Sequence, residues 1–244
     1  MSRVLPLEVS GYLDNSNSPN ISLKVEILLP TYIKVDEERI TYPFDMLFTY
    51  SKVKRRLGRF FRNWFGKQEI LEPIYDLFFA STFNNTATSP IQSFLSYVQA
   101  LETYHQRTKK DYIDPAGVDK KRRKVILKTC PPKYRKWLGE KLAFSNSPTL
   151  DHRLRELIEM NPNQVNGMAG SHDMFIQIVK DTRNYYTHYD IKKRGKAATG
   201  GRLTGLSRIL GIMVEGFLLY EMGFKIPEIQ KIQFERHRFP QAWL

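Results

Sequence analysis

The 244-residue sequence predicts a mainly α-helical protein that opens with a short β-containing segment. Three observations carry that expectation. After about position 45, apolar residues recur at three- and four-residue steps, the spacing of helices with one buried face. Period-two alternation is confined to the first 44 residues, as in Ile21-Ser22-Leu23-Lys24-Val25-Glu26-Ile27. Prolines, glycines and small polar residues fall where helices start and stop. Residues 1–44 are thus expected to be a small N-terminal segment with one or two strands. Residues 45–244 are expected to form a helical domain whose core spans about 70–230.

Asp14-Asn15-Ser16-Asn17-Ser18-Pro19-Asn20 reads as a loop, and Tyr32-Ile33-Lys34-Val35 after Pro30 as a second strand. Two strands alone are marginal, so this segment is expected to pack on the helices or on a partner. Met46 to Phe65 reads as one helix, with Tyr50, Val53, Leu57, Phe60, Phe61 and Trp64 on a core-facing stripe. Arg55, Arg56, Arg59 and Arg62 lie largely off that stripe, on a wet basic face suited to RNA backbone or to a membrane surface. Ile70 to Phe83 is the next helix, stopped by Asn84-Asn85. Ser89-Pro90 supplies a cap and a first-turn proline for a helix reaching about Arg107. Asp114-Pro115-Ala116-Gly117 breaks the chain, and helices near 121–129 and 132–143 follow, separated by Pro131-Pro132. There Tyr134 and Trp137 interleave with Lys133, Arg135 and Lys136, a mixture that can stack bases, although core packing is the expected role of Trp137. Leu150 to Met160 is a helix stopped by Asn161-Pro162-Asn163, and Gly167 to Ser171 is a turn whose Ser171 caps the helix after it. Leu203 to Met222 is the last long helix, with Gly223 as its terminator.

The net charge of +13 suits a polyanionic partner, nucleic acid before an anionic membrane. It is concentrated. Residues 52–67 hold seven Lys/Arg and no acid, and residues 107–141 hold thirteen Lys/Arg against four acids. The remainder is slightly acidic, which is the asymmetry of a binding surface, or of a solvated basic face. The single cysteine, Cys130, excludes an internal disulfide and fits a reducing cytosol. The first residues lack the apolar core of a signal peptide, and the run Ile209 to Phe224 is interrupted by Glu215 and Glu221. A cytoplasmic protein without membrane association is therefore expected. The five histidines are scattered, and no metal-ligand spacing, P-loop or dinucleotide-binding glycine pattern occurs, so neither metal nor cofactor is expected.

The richest stretch is Asp181-Thr182-Arg183-Asn184-Tyr185-Tyr186-Thr187-His188-Tyr189-Asp190. Phe175, Ile178, Val179, Thr182 and Tyr186 define the buried face of its helix. At about 100° per residue, Asn184 and His188 lie one turn apart on the opposite face and Arg183 on the flank. Arginine grips phosphate through a planar fork of donors, and histidine is the side chain that ordinarily titrates nearest neutrality. The trio can bind an anion and move a proton. The alternative is structural, since a histidine in the last turn also complements the negative end of the helix dipole. Lys192, Lys193 and Arg194 follow at once, and with Lys121, Arg122 and Arg123 they are the expected RNA-backbone contacts.

Arg183-Asn184-x-x-x-His188 resembles the R-x4-6-H signature of the HEPN superfamily, small α-helical proteins many of which are ribonucleases. Phe94 to Glu102, Ile178 to Tyr189 and Leu218 to Gly223 are similar to the first core helix, motif helix and last helix of its ApeA-like group of bacterial anti-phage proteins. Some HEPN proteins carry E-x3-K/R in the first helix, whereas Glu102 is followed here by Gln106 and then Arg107. The resemblance implies a HEPN-like helical bundle and a metal-independent endoribonuclease. It implies two motifs meeting across a homodimer, with Arg183, Asn184 and His188 catalytic. An antitoxin or other regulatory partner and a role in defence or as a toxin follow from it. The rival expectation is a non-catalytic HEPN-type RNA-binding or scaffold protein.

Overall fold

The computed structural model describes residues 4–14, 22–34, 46–83, 89–161 and 171–237. The expected loop at 15–20, the stops at Asn84-Asn85 and Pro162-Asn163, and the turn at Gly167 lie outside the described residues. The chain divides into two units, Met1–Met46 and Leu47–Leu244. In the first, β1 (Val4–Asp14) and β2 (Ser22–Lys34) run antiparallel with Val9 opposite Ile27 and a register shift between Leu5 and Leu7.

The second unit is mainly helical. Its described helices are α1 (Tyr50–Val53), α2 (Leu57–Gly66), α3 (Gln68–Phe83), α4 (Pro90–Thr108), α5 (Ala116–Thr129), α6 (Arg135–Leu142), α7 (Leu150–Met160), α8 (His172–His188), α9 (Gly200–Met222) and α10 (Ile226–His237). Helix α9 is apolar nearly all round, which fits a helix buried on most sides. By length and composition alone it could cross a membrane, but 72% of its most apolar stretch is buried inside the molecule. Leu203, Leu206, Leu210, Met213 and Phe217 form the spine of the core. Helix α4 lies along it, with Tyr104 stacked on Phe217 at 4.8 Å between ring centroids. Gly211 makes that approach close: a Cβ there would meet the Tyr97 ring at 3.1 Å. Helices α3, α7 and α8 pack against α4 and contribute Leu71 and Ile74, Leu154 and Leu157, and Phe175 and Val179.

Local signals explain several boundaries. Ser89, Thr149 and Ser171 each accept a hydrogen bond from the backbone N–H three residues on, satisfying a donor that the first turn leaves unpaired. Gly223 ends α9 in the left-handed conformation, φ 107°, where a side chain is strained.

Three expectations change. Met46 to Phe65 is not one helix but α1 and α2, separated by a turn at Lys54–Arg56. Consecutive cations without a local acid repel within a helix. Arg56 instead leaves helical geometry (φ −120°, ψ 0°) and forms a two-pronged pair with Glu228 of α10 at 2.7 and 3.0 Å. Only Val53 and Phe60 of the expected stripe are fully buried, in a second small core with Leu219, Phe224, Ile229 and Ile232, while Tyr50 and Phe61 are exposed. Helix α10, which supplies two of those core residues, was not anticipated, although Pro227 and Glu228 in its first turn are start signals. Finally, Trp137 does not pack in a core and is 58% exposed. Helices α5 and α6 pack on each other, Leu127, Leu138 and Leu142 are half-buried, and on α6 no residue is fully buried.

Candidate functional site

Helix α8 is held on its inner face by Phe175, Ile176, Val179, Asp181 and Thr182, all buried. Its last residue, His188, is exposed, and Asn184 one turn earlier is half-buried. The helix stops because Tyr189 takes the left-handed conformation, φ 49°, ψ 37°. A side chain there costs about 1–2 kcal/mol relative to ordinary backbone. Tyr189 is the one described non-glycine residue with positive φ, and its ring meets Tyr185 edge-on at 6.1 Å. The structure therefore ends α8 abruptly and leaves the imidazole at its exposed tip.

Arg183 is half-buried, and its guanidinium lies 3.6 Å from the Glu102 carboxylate of α4. Sequence reasoning left Glu102 without a role, because the contact joins helices far apart in the chain. About a third of each side chain is open to solvent (35% and 29%), so screening leaves the pair worth roughly 0–1 kcal/mol. A phosphate offering two charge-assisted hydrogen bonds is a stronger partner for the same guanidinium. Glu102 thus aims Arg183 without locking it.

The segment after α8 is fastened back onto it. Thr182 Oγ1 accepts from the Ala198 backbone N–H at 2.9 Å, and the Tyr186 hydroxyl donates to the Ala198 carbonyl at 3.3 Å. Lys193 donates to the buried Asp181 carboxylate at 2.7 Å, and Gln177 to its other oxygen at 2.8 Å. Burial pushes the Asp181 carboxyl up, but these two hydrogen bonds and the nearby lysines outweigh it and hold the group below its usual range. The same bond raises Lys193.

The expected nucleic-acid contacts therefore divide into two sets. Lys193 braces the loop, Arg122 bonds Asp114 and Asp119, and Arg123 lies 3.8 Å from Asp119. Lys121, Lys192 and Arg194 are exposed and make no ion pair among the described residues. Lys192, Lys193 and Arg194 adjoin the Arg183, Asn184 and His188 end of α8, whereas Lys121, Arg122 and Arg123 lie on α5.

A second polar cluster lies one turn beyond Glu102. His105 is wholly buried, with Nε2 2.6 Å from Glu156 and Nδ1 3.1 Å from Arg153. Arginine only donates, so Nδ1 accepts and Nε2 carries the proton toward Glu156. Burial holds this imidazole below its ordinary pKa, against the pull of Glu156. Arg153 also donates to the Pro148 carbonyl at 3.2 Å and to Asp111 at 2.5 Å, tying together the two ends of the segment that carries α5 and α6. Among the described residues no group of His, Cys, Asp or Glu is arranged to hold a metal ion.

Compared with known proteins, residues 95–226, more than half of the chain, match the family described as Apea-like HEPN. No curated protein and no solved structure matches the chain.

Proposed function

The chain belongs to the Apea-like HEPN family, and on that premise we propose that it is a metal-independent endoribonuclease acting on single-stranded RNA from the exposed end of α8. The observation that carries the reading is the pairing of an exposed His188 with an Arg183 that is aimed by Glu102 yet only weakly held. Arg183 grips the scissile phosphate and offsets the charge that grows on its non-bridging oxygens. His188 takes the proton of the substrate's 2′-OH as that oxygen bonds to phosphorus. The 5′-oxygen leaves with a proton from a second acid, so the products are a 2′,3′-cyclic phosphate and a 5′-hydroxyl. Asn184 orients the phosphate or the imidazole.

One helix end offers a single Arg and a single His, and the second acid has a natural source in another copy of α8 across a two-fold axis. The proposed active form is thus a homodimer, seen by light scattering as about twice the chain mass. Family likeness further suggests a cytoplasmic role in anti-phage defence or as a toxin, restrained by an antitoxin or another regulatory partner. The test is a pair of variants. Arg183→Ala and His188→Ala should each lower RNA cleavage about 10²–10⁴-fold while changing stability by less than about 1 kcal/mol. Full activity in both would overturn the assignment. Salt-dependent RNA binding without cleavage in the unaltered protein would favour the non-catalytic reading.

A further inference from the structure

Helices α5 and α6 form an arm that gives the rest of the molecule almost nothing: Asp119 is its one fully buried residue. Its leucines Leu127, Leu138 and Leu142 are no more than half-buried. Helices of 14 and 8 residues with so small an apolar seam gain little from packing, and isolated helices of that length are marginal in water. The arm is braced at its root instead. Asn146 exchanges hydrogen bonds with Asp114 at 2.8 Å in both directions, and Arg122 joins Asp114 to Asp119.

The surface of the arm is chemically distinctive. Ten Lys/Arg face two acids between Ala116 and Leu142. Tyr134, which ends the short 3-10 turn Pro132–Tyr134, and Trp137 in the first turn of α6 are 49% and 58% exposed and stand three residues apart in the chain. Lys133 Nζ sits 4.8 Å over the Tyr134 ring. Lys136 and Lys141 are exposed and without an ion pair among the described residues. Two flat rings flanked by unneutralised cations are what successive bases and their phosphates need. Like charge opposes a second copy of the arm as the covering partner.

The arm is also rooted near the Arg183 end of α8. Arg153, which ties the arm's two ends, is two residues from Asp151 in the first turn of α7, and Asp151 accepts from Lys180 of α8 at 2.8 Å. On the other side of the root, His105 lies one turn from Glu102, which meets Arg183. We propose that this arm is the RNA-holding element of the protein: Tyr134 and Trp137 stack adjacent bases of a single strand while Lys133, Lys136 and Lys141 neutralise its phosphates. The role of Arg122 and Arg123 is then to stiffen the arm rather than to touch RNA. This rests on the ribonuclease reading for the fate of the strand, but not for its binding.

The experiment uses the full chain and a short fluorescein-labelled single-stranded RNA with 2′-O-methyl sugars, which a 2′-OH mechanism cannot cut. Anisotropy titrations should show Trp137→Ala and Tyr134→Ala each weakening binding roughly five- to a hundred-fold. Trp137→Phe should keep most of the affinity. Lys133→Gln with Lys136→Gln and Lys141→Gln should lower the slope of log affinity against log salt by about 2. All of these side chains are exposed, so circular dichroism should be unchanged. Wild-type affinity and salt slope in a Tyr134→Ala, Trp137→Ala double variant would overturn the proposal and leave the arm to a protein partner. Cutting of natural RNA by that double variant at the wild-type rate would overturn the arm and keep the nuclease. Loss of probe binding in Trp137→Ala, in a protein that never cuts natural RNA, would keep the arm and overturn the nuclease.

Discussion

Replacing Thr182 by Val keeps the side chain's shape and deletes the oxygen that fastens the segment after α8. Thr182 and Ala198 are both completely buried, and the Ala198 N–H donates to Thr182 Oγ1 at 2.9 Å. In the variant that N–H faces two methyl groups in a site closed to water. An unsatisfied buried donor costs about 1–3 kcal/mol, whereas the methyl gained returns less than about 1 kcal/mol. For a chain of 244 residues each kcal/mol moves the melting temperature by about 2–4 °C. Taking a cost of about 2 kcal/mol less that return, the net loss is about 1–2 kcal/mol, or about 2–8 °C, read by circular dichroism, with faster hydrogen exchange at the Ala198 amide. Thr182→Ser is the control, since it retains the acceptor and gives up one methyl, about 0.8 kcal/mol. A Val variant that melts at or above the Ser variant would refute the reasoning.

Two further predictions concern stability. Burial keeps His105 neutral in the folded protein, so the unfolded chain takes up its proton at higher pH; the contribution is complete above about pH 6.5 and is lost as pH falls below it. Hydrogen bonds hold Glu156 (from His105), Asp151 (from Lys180 and Arg155) and Glu228 (from Arg56) below the usual carboxyl range, which adds a second loss below about pH 4.5. A melting temperature flat from pH 7 to pH 5 would contradict the assignment of His105. Gly223→Ala places a Cβ at φ 107° and 3.0 Å from the Asn63 amide nitrogen. It should destabilise by about 1–3 kcal/mol in urea titration, and a neutral or stabilising effect would mean that α9 does not end as described.

What the sequence made legible was local. Helices α3, α4, α7 and α8 announce themselves through three- and four-residue apolar spacing, and Ser89 and Ser171 mark the starts of α4 and α8, and Gly223 the end of α9, with side-chain or backbone chemistry available within one turn. What it hid was set by distant partners. The break between α1 and α2 depends on Glu228, 172 residues from Arg56. The Trp137 pattern is that of a core residue on any helix, and only the projection of α5 and α6 leaves the ring in water. In the candidate site, the order Arg183, Asn184, His188 and its place at a helix end could be read directly. That Glu102 meets Arg183, and that Lys193 is committed to Asp181, required the packing of α4 and the return of the 190–199 segment onto α8.

The central claim is chemical: the end of α8 cuts RNA through the substrate's own 2′-OH, with no metal ion taking part. Mass spectrometry of the ends left on a single-stranded RNA, after incubation with the protein in excess chelator, tests it most directly. The account predicts 2′,3′-cyclic phosphate or 3′-phosphate on one fragment and 5′-hydroxyl on the other, with no cut at a position carrying a single 2′-deoxy sugar. Fragments bearing 5′-phosphates, formed only when magnesium is supplied, would contradict it.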